Sequence, residues 1–355
     1  MAEESEMSAV VTFEGGSADN PKSLSDAMVA RPKSPRRRDI LVRIHAISVN
    51  PVDTKIRASA NATSPSSSPL ILGWDAVGEV VETGPDARFF SVGDRVWYAG
   101  DVTRQGSYAA YELVDERIVG HAPATLDDAH AAAMPLTGIT AWEALFDKLR
   151  VDRTPASNDG GDDRQSLLVV GAAGGVGSMV IQLAHALTSL RIIALASREE
   201  SRRWALDMGA DDVVDYRDDD VAAKIQGIAP NGIDWAFSAY SKGNIGLFNA
   251  VMRPFGEIVA IDDEKNLDWY SLKDKALSWH WEFMFARPKH HADDMIRQHD
   301  ILEKIAELVD SGAMRSTMTM NLSPVDAGTL RKAHGMVEGG HMVGKVTLSR
   351  DDRVR

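Results

Sequence analysis

The chain has 355 residues, no cysteine and a formal net charge of −13. The length is long for one hydrophobic core and comfortable for two, and the lack of cysteine excludes disulfides, iron–sulfur clusters, thiolate zinc sites and a thiol nucleophile. The acidic balance argues against nucleic acid or an anionic membrane as main partner, since both select a basic surface.

The first residues, MAEESEMSAV, carry neither the apolar segment of a secretory signal nor the Arg-rich character of a mitochondrial presequence. No stretch approaches the roughly 18 apolar residues of a membrane span. A cytoplasmic location is the expectation, with the first eight or so residues as a loose tail.

Residues 39–49 (DILVRIHAISV) alternate apolar and polar positions, which predicts a half-buried strand. Residues 59–69 are Ser/Pro-rich and read as a loop. Residues 70–82 are strand-like with glycine interruptions, Gly84-Pro85-Asp86 reads as a turn, a short strand is expected over Val92–Tyr98, and 106–114 alternates again. Many short strands with Gly/Pro/Asp punctuation predict a barrel-like β unit over about 9–125. The pattern then changes. LDDAHAAAMP reads as a helix begun near Asp127 and Asp128 and ended by Pro135, GITAWEALFDKL as a second helix, and 152–165 as an exposed loop. SLLVVG, RIIALAS, DDVVDY, IDWAFSA and GEIVAI read as strands, with SMVIQLAHAL and EESRRWALDMG as helices between them, the latter closed by Gly209. Strands alternating with helices predict a doubly wound parallel sheet. Helices over about 293–311 and 324–338 and a final strand GKVTLS complete the chain.

The strongest motif is LVVGAAGGVGS (168–178). A buried strand ends at Val170, glycines turn the chain, and an apolar helix is expected from about Val176. This is the setting of a dinucleotide fingerprint, with Ala172 in the first glycine position, Gly174 for backbone approach to a pyrophosphate and Gly177 for close helix–strand packing. Ala173, Gly174, Gly175 and Val176 are the expected phosphate-side contacts, because a helix N-terminus offers open N–H groups. A purely structural β–α turn is the alternative. The second strand of such a fold normally ends in an Asp or Glu that holds the ribose 2′-OH. Here it ends in Ser197-Arg198, with Arg202 one turn on, a set that suits a 2′-phosphate and favours NADPH over NAD. Glu199 and Glu200 read as helix-start acids. Tyr216, Ser238 and Ile261, at later strand ends, complete the expected cofactor contacts.

SVNPVDTKIR (48–57), LGWDAVGEVVETG (72–84), VGDRVWYAG (92–100), PLTGITAWEAL (135–145) and GAAGGVGS (171–178) occur in this order. Through them the chain resembles the medium-chain dehydrogenase/reductase superfamily, quinone oxidoreductase branch. It is most similar to the zinc-type alcohol dehydrogenase-like group, a likeness also carried by LVDERIVGHAP and ALSWHWEFMFARP. The resemblance implies an α/β chain: a GroES-like β-rich domain over 1–136 and 289–355, split around a Rossmann domain over 137–288. It also implies which positions hold catalytic zinc in metal-dependent members. Here these are Asn50, Trp74 and Leu136, which form no ligand set, so no metal is expected. The adjacent His290 and His291 read as solvated side chains.

Alcohol oxidation of the zinc type needs a Lewis acid. Hydride transfer from NADPH to a quinone or an activated alkene is less demanding, since a few donors can hold the developing enolate. The expected catalytic donors are Asn50, Tyr98 and Lys55. Each has a plainer alternative: a turn asparagine, a packed barrel tyrosine, a solvated lysine. Asp53 reads equally as a helix cap. The resemblance places Asn50 and Thr140 near the nicotinamide. Trp74 and the run Trp279–Phe285 would line an apolar pocket, belong to the core, or form a subunit interface; the resemblance implies a homodimer through the Rossmann sheet edge. The leading expectation is a zinc-independent NADPH-dependent quinone or enone/enal reductase acting on a small electrophile. A trans-acting enoyl reductase and a non-catalytic dinucleotide-binding protein are the alternatives.

Overall fold

The computed structural model describes residues 6–60, 69–153 and 164–350. The chain divides into two compact units, one formed by Met1–Leu136 with Phe285–Arg355 and one by Thr137–Met284. Strands β1 (Glu6–Thr12), β2 (Ser25–Ala30) and β3 (Asp39–Ser48) open the first unit, followed by helix α1 (Pro51–Ser59). Strands β4 (Leu70–Ile71), β5 (Ala76–Thr83), β6 (Arg95–Tyr98), β7 (Tyr111–Asp115) and β8 (Val119–His121) follow, then helix α2 (Asp128–Ala132). Helix α3 (Pro135–Trp142) leads into the second unit.

The second unit alternates β9 (Ser166–Val170), α4 (Gly175–Leu187), β10 (Arg191–Leu195), α5 (Glu199–Asp207), β11 (Asp212–Val214), α6 (Val221–Ile228), β12 (Ile233–Ser238), α7 (Ile245–Val251) and β13 (Met252–Ala260), ending with β14 (Ser278–Trp281). These strands form one parallel sheet in the order β11-β10-β9-β12-β13-β14. Parallel strands joined by helical crossovers are covered on both faces, which is why β9 (SLLVV) is buried throughout. Chain order reverses between β9 and β12, and such a switch point opens a crevice at the carboxyl ends of the strands. The helix expected over GITAWEALFDKL is in fact α3 followed by a π-helical segment, Glu143–Lys148. Pro135 begins α3 at its first position, where its missing N–H costs nothing.

The first unit resumes with α8 (Ala286–Lys289), α9 (Arg297–Asp310), β15 (Met318–Leu322), α10 (Ala327–Glu338) and β16 (Lys345–Ser349). A small sheet is ordered β2-β1-β4, and a seven-stranded sheet is ordered β15-β16-β3-β5-β6-β8, with β7 also on β3. Strand β3 is central, with β5 along one edge and β7 then β16 along the other. It is therefore not the half-exposed strand its alternation predicts: Leu41, Val42, Ile44, Ala46 and Ile47 are all buried. Its polar exceptions find partners, Arg43 with Glu79 (2.7 Å) and His45 with Asp128 (3.1 Å).

Two boundaries differ from expectation. Glu6–Ser8, expected in the tail, pair with β2; residues 1–5 lie outside the described residues. The strand at Val92–Tyr98 starts only at Arg95, because Gly93 turns at φ +99° and the Asp94 carboxylate accepts the Ser91 N–H. Most of the two expected loops, 61–68 and 154–163, also lies outside the described residues. Helix α2 starts as read, with the Asp127 carboxylate accepting the His130 N–H at 2.8 Å. No helix among the described residues is long and apolar enough to cross a membrane.

Candidate functional site

In the second unit the glycine-rich turn lies at the switch point. Gly171 turns at φ +84° just after β9, and Gly174 precedes α4 in an extended conformation. No side chain caps α4, so its first-turn N–H groups are open to an anion. Gly174, Gly175 and Val176 are half-exposed, while Ala173 is buried beneath them. Gly177 packs so closely that a Cβ there would come 2.2 Å from the Gly171 carbonyl oxygen. The helix start is further fixed by Ser178, whose hydroxyl donates to Gly174 O (2.7 Å) and accepts from Trp204 Nε1 (2.8 Å).

At the tip of β10 the Ser197 hydroxyl is buried and has no hydrogen-bond partner. A buried polar atom without a partner is uncommon enough to need a reason. Arg198 follows at the start of α5, its backbone N–H donating to the Ser201 hydroxyl, and Arg202 is exposed one turn on. Glu199 is tied to Arg203 at 3.1 Å on the exposed helix face. Tyr216 is about half exposed after β11. At the carboxyl end of β12, Ser238 bonds Ser241 (3.1 Å), and Ser241 donates to Asp262 through both its N–H (2.7 Å) and its hydroxyl (2.6 Å). Ile261, half-buried, donates its N–H to Ser238 O. Thr140 is buried in α3. Sequence reasoning missed Tyr240: its exposed ring stands over Gly171, close to where a Cβ on that glycine would lie. Its place just after a strand of the switch point was the available signal.

In the first unit, Asn50 sits immediately before α1 with Pro51 as first helical residue. Its amide is fully committed. Nδ2 donates to Trp74 O (3.1 Å) and to Asp75 Oδ2 (2.7 Å), and Oδ1 accepts from the Lys345 ammonium (2.5 Å). Lys345 also donates to Val49 O (2.9 Å) and lies 3.5 Å from Asp75. The other Asp75 oxygen accepts the Leu136 N–H at 2.8 Å. Positions 50, 74 and 136 are thus stitched together by one carboxyl and one ammonium. Burial raises Asp75 to about 6, against the pull of Lys345 and Asn50, and raises Asp53 to about 7. Burial likewise pushes Lys345 down, opposed by the two acids. Asp75 and Lys345, absent from the expected site, are legible in the sequence only as members of the GWD and GKVTLS stretches.

This geometry corrects the reading of Asn50 as a substrate donor: both amide hydrogens are spent and the residue is 1% exposed. Asp53 takes its plainer role, accepting the Asn50 backbone N–H at 2.6 Å. Tyr98 is corrected in the same way, being buried with its hydroxyl donating to Glu112 at 3.0 Å. Burial raises Glu112 to about 8 and Tyr98 well above its ordinary value. Lys55 is exposed on α1. Trp74 is a core residue, edge-on to Phe285 with ring centroids 6.3 Å apart. His290 and His291 are exposed, and no three His, Asp or Glu among the described residues converge as metal ligands. Beyond Asp53, Arg57 donates to His334 Nδ1 (3.1 Å), whose Nε2 meets Tyr108 at 3.0 Å. Burial and Arg57 hold His334 down at about 3, so the ring is neutral and its proton points to Tyr108.

The family described as the alcohol dehydrogenase GroES-like domain matches residues 36–125, and the one described as zinc-binding dehydrogenase matches 208–348. A zinc-type alcohol dehydrogenase-like protein of Staphylococcus aureus (strain MSSA476) is 40% identical over 326 residues, 90% of this chain and 93% of the other. A human mitochondrial NAD(P)H oxidoreductase is 28% identical over 339 residues, 88% of this chain and 81% of its own. A solved structure from Rhizobium etli CFN 42, of a protein named for zinc-dependent alcohol dehydrogenases, superposes with a TM-score of 0.90 at 40% identity, covering 98% of each chain.

Proposed function

The chain belongs to the medium-chain dehydrogenase/reductase superfamily of dinucleotide-binding oxidoreductases, and from that premise we propose that it reduces a quinone or an activated alkene with NADPH and without zinc. The observation that carries this reading is the fate of positions 50, 74 and 136. An amide spent on Asp75 and Lys345, a buried indole and an aliphatic side chain offer no donor set for zinc. An alcohol would then lack the Lewis acid that eases its deprotonation. A quinone or enone needs only donors for the charge developing on its oxygen.

The nicotinamide, when bound, supplies the hydride. The open N–H groups at the start of α4 hold the pyrophosphate, and the Gly177 contact fixes the helix close enough to do so. The unpartnered Ser197 hydroxyl, with Arg198 and Arg202, takes the 2′-phosphate, which offers the acceptor that Ser197 lacks. Tyr216 covers the adenosine side, while Thr140, Ser238 and Ile261 serve the nicotinamide end. Since Asn50 and Tyr98 have committed their polar hydrogens, water delivers the proton that completes reduction at carbon. The substrate is a small electrophile.

NADPH oxidation with a quinone and with an enone, measured in excess chelator, tests the reading. Undiminished turnover is expected; activity lost on chelation and restored by zinc would overturn it. Ser197→Asp with Arg198→Ala should shift preference toward NADH, and an unchanged NADPH preference would remove the 2′-phosphate assignment.

A further inference from the structure

Beside β1 and β2 the first unit carries a cleft of about 270 Å³. Its walls are mostly apolar, including Ala9, Val10, Ala27, Met28 and Val325, and Arg350 lines it one residue beyond β16. The backbone there is anchored, since the Arg350 N–H donates to His45 O at 2.9 Å. The Arg350 Nε is buried and has no acceptor. Burial pushes the guanidinium down to about 10, and no carboxylate among the described residues opposes that shift. The side chain therefore still carries its charge at neutral pH. The acid of the cleft, Asp26, is exposed and has one oxygen occupied by the Ala327 N–H at 2.9 Å. A largely desolvated guanidinium whose Nε has no acceptor among the described residues is costly, and buried charges are normally paired.

We propose that this cleft binds a small carboxylate with a short aliphatic tail, its head on Arg350 and its tail along Ala9, Val10 and Val325. A guanidinium matches a planar carboxylate bidentately. A phosphate would bring more charge and more oxygens than one guanidinium can satisfy, beside apolar walls and the Asp26 charge. A cleft of about 270 Å³ suits a short-chain carboxylate, and hexanoate is a probe of that class. The inference stands apart from the reductase reading, because neither the glycine-rich turn nor the Asn50 cluster takes part in it.

Calorimetric titration of the full chain with hexanoate, without dinucleotide, tests it. Saturable binding with a raised Tm is expected, while hexanol, hexylamine and inorganic phosphate should not bind. Arg350→Met should abolish binding, and Arg350→Lys should weaken it about tenfold, since an ammonium cannot form the paired contact. Ala27→Phe keeps the guanidinium and fills the cleft, so it should abolish binding even if Arg350→Met folds poorly. Failure of hexanoate to saturate, phosphate binding as tightly, or affinity unchanged in Arg350→Met would overturn the proposal. So would binding seen only after Asp351→Asn and Asp352→Asn, because the chain's own acids would then be the counter-ion.

Discussion

Asn50 shows how one side chain can look catalytic and be spent on structure. The family resemblance implies a metal-ligand position for it, yet its amide joins a carboxyl, an ammonium and a carbonyl. Asn50→Ala would take one acceptor from a buried ammonium and one donor from a buried carboxyl, costing about 1.5–3 kcal/mol for each hydrogen bond lost to a charged group. The expected outcome is a marked fall in denaturant midpoint; a loss of kcat with unchanged stability would instead restore Asn50 as a substrate donor. Glu112 makes a prediction of a different kind. Its carboxyl titrates ordinarily near 4.5 and in the folded chain near 8, because it is buried. The native state thus keeps a proton that the unfolded chain has released over that interval. The stabilisation is complete below about 4.5 and fades as pH rises through about 8. Glu112→Gln cannot ionise, so its stability relative to the parent should grow between about pH 5 and pH 8.5. His334 works in the opposite sense, with a folded value near 3, but the comparison of variant with parent cancels it. A flat difference across that range in paired melting curves would show that Glu112 is solvated.

At the scale of elements, legibility followed the period of the pattern. The βα alternation of the second unit could be read because buried parallel strands are continuous apolar runs and their helices start and stop on recognisable residues, such as Gly209 at φ +109° after α5. β3 is legible as a strand but its burial is not, since Arg43 and His45 imitate an exposed face while reaching Glu79 and Asp128. β14 is legible only as an aromatic run, because four residues carry too little periodicity to outweigh their side chains. The candidate site divided along the same line. The glycine turn is local, so sequence spacing sufficed to place it. The Asn50–Asp75–Lys345 cluster joins residues up to 295 apart in the chain, and no local pattern announces that. The turn carries its own prediction. Gly177→Ala would set a Cβ 2.2 Å from the Gly171 carbonyl and push α4 away from β9. Dinucleotide affinity should fall at least about tenfold while the first unit keeps its stability. Fluorescence titration with NADPH reads the outcome, and parental affinity would mean that α4 does not need this close approach.

At the scale of the whole molecule, the parallel sheet ends on β14, whose only neighbour in the sheet among the described residues is β13. Unprotected edges are usually blunted by charge, proline or a covering element. Here the edge is dressed with indoles: Trp279 and Trp281 meet edge to face at 5.9 Å, and Trp269 closes on Trp279 at 4.6 Å. Trp281 is 49% exposed and Tyr270 78% exposed. Aromatic surface of this extent beside an open strand is what a self-complementary interface uses, with each copy's edge pairing with the other's across a two-fold axis. The expected assembly is a homodimer. Trp281→Lys places a charge on that edge and should shift sedimentation velocity profiles to monomer at micromolar concentration, whereas Trp281→Phe keeps the apolar face and should stay dimeric. A parent chain that sediments as monomer at tens of micromolar would assign the aromatic edge to another partner.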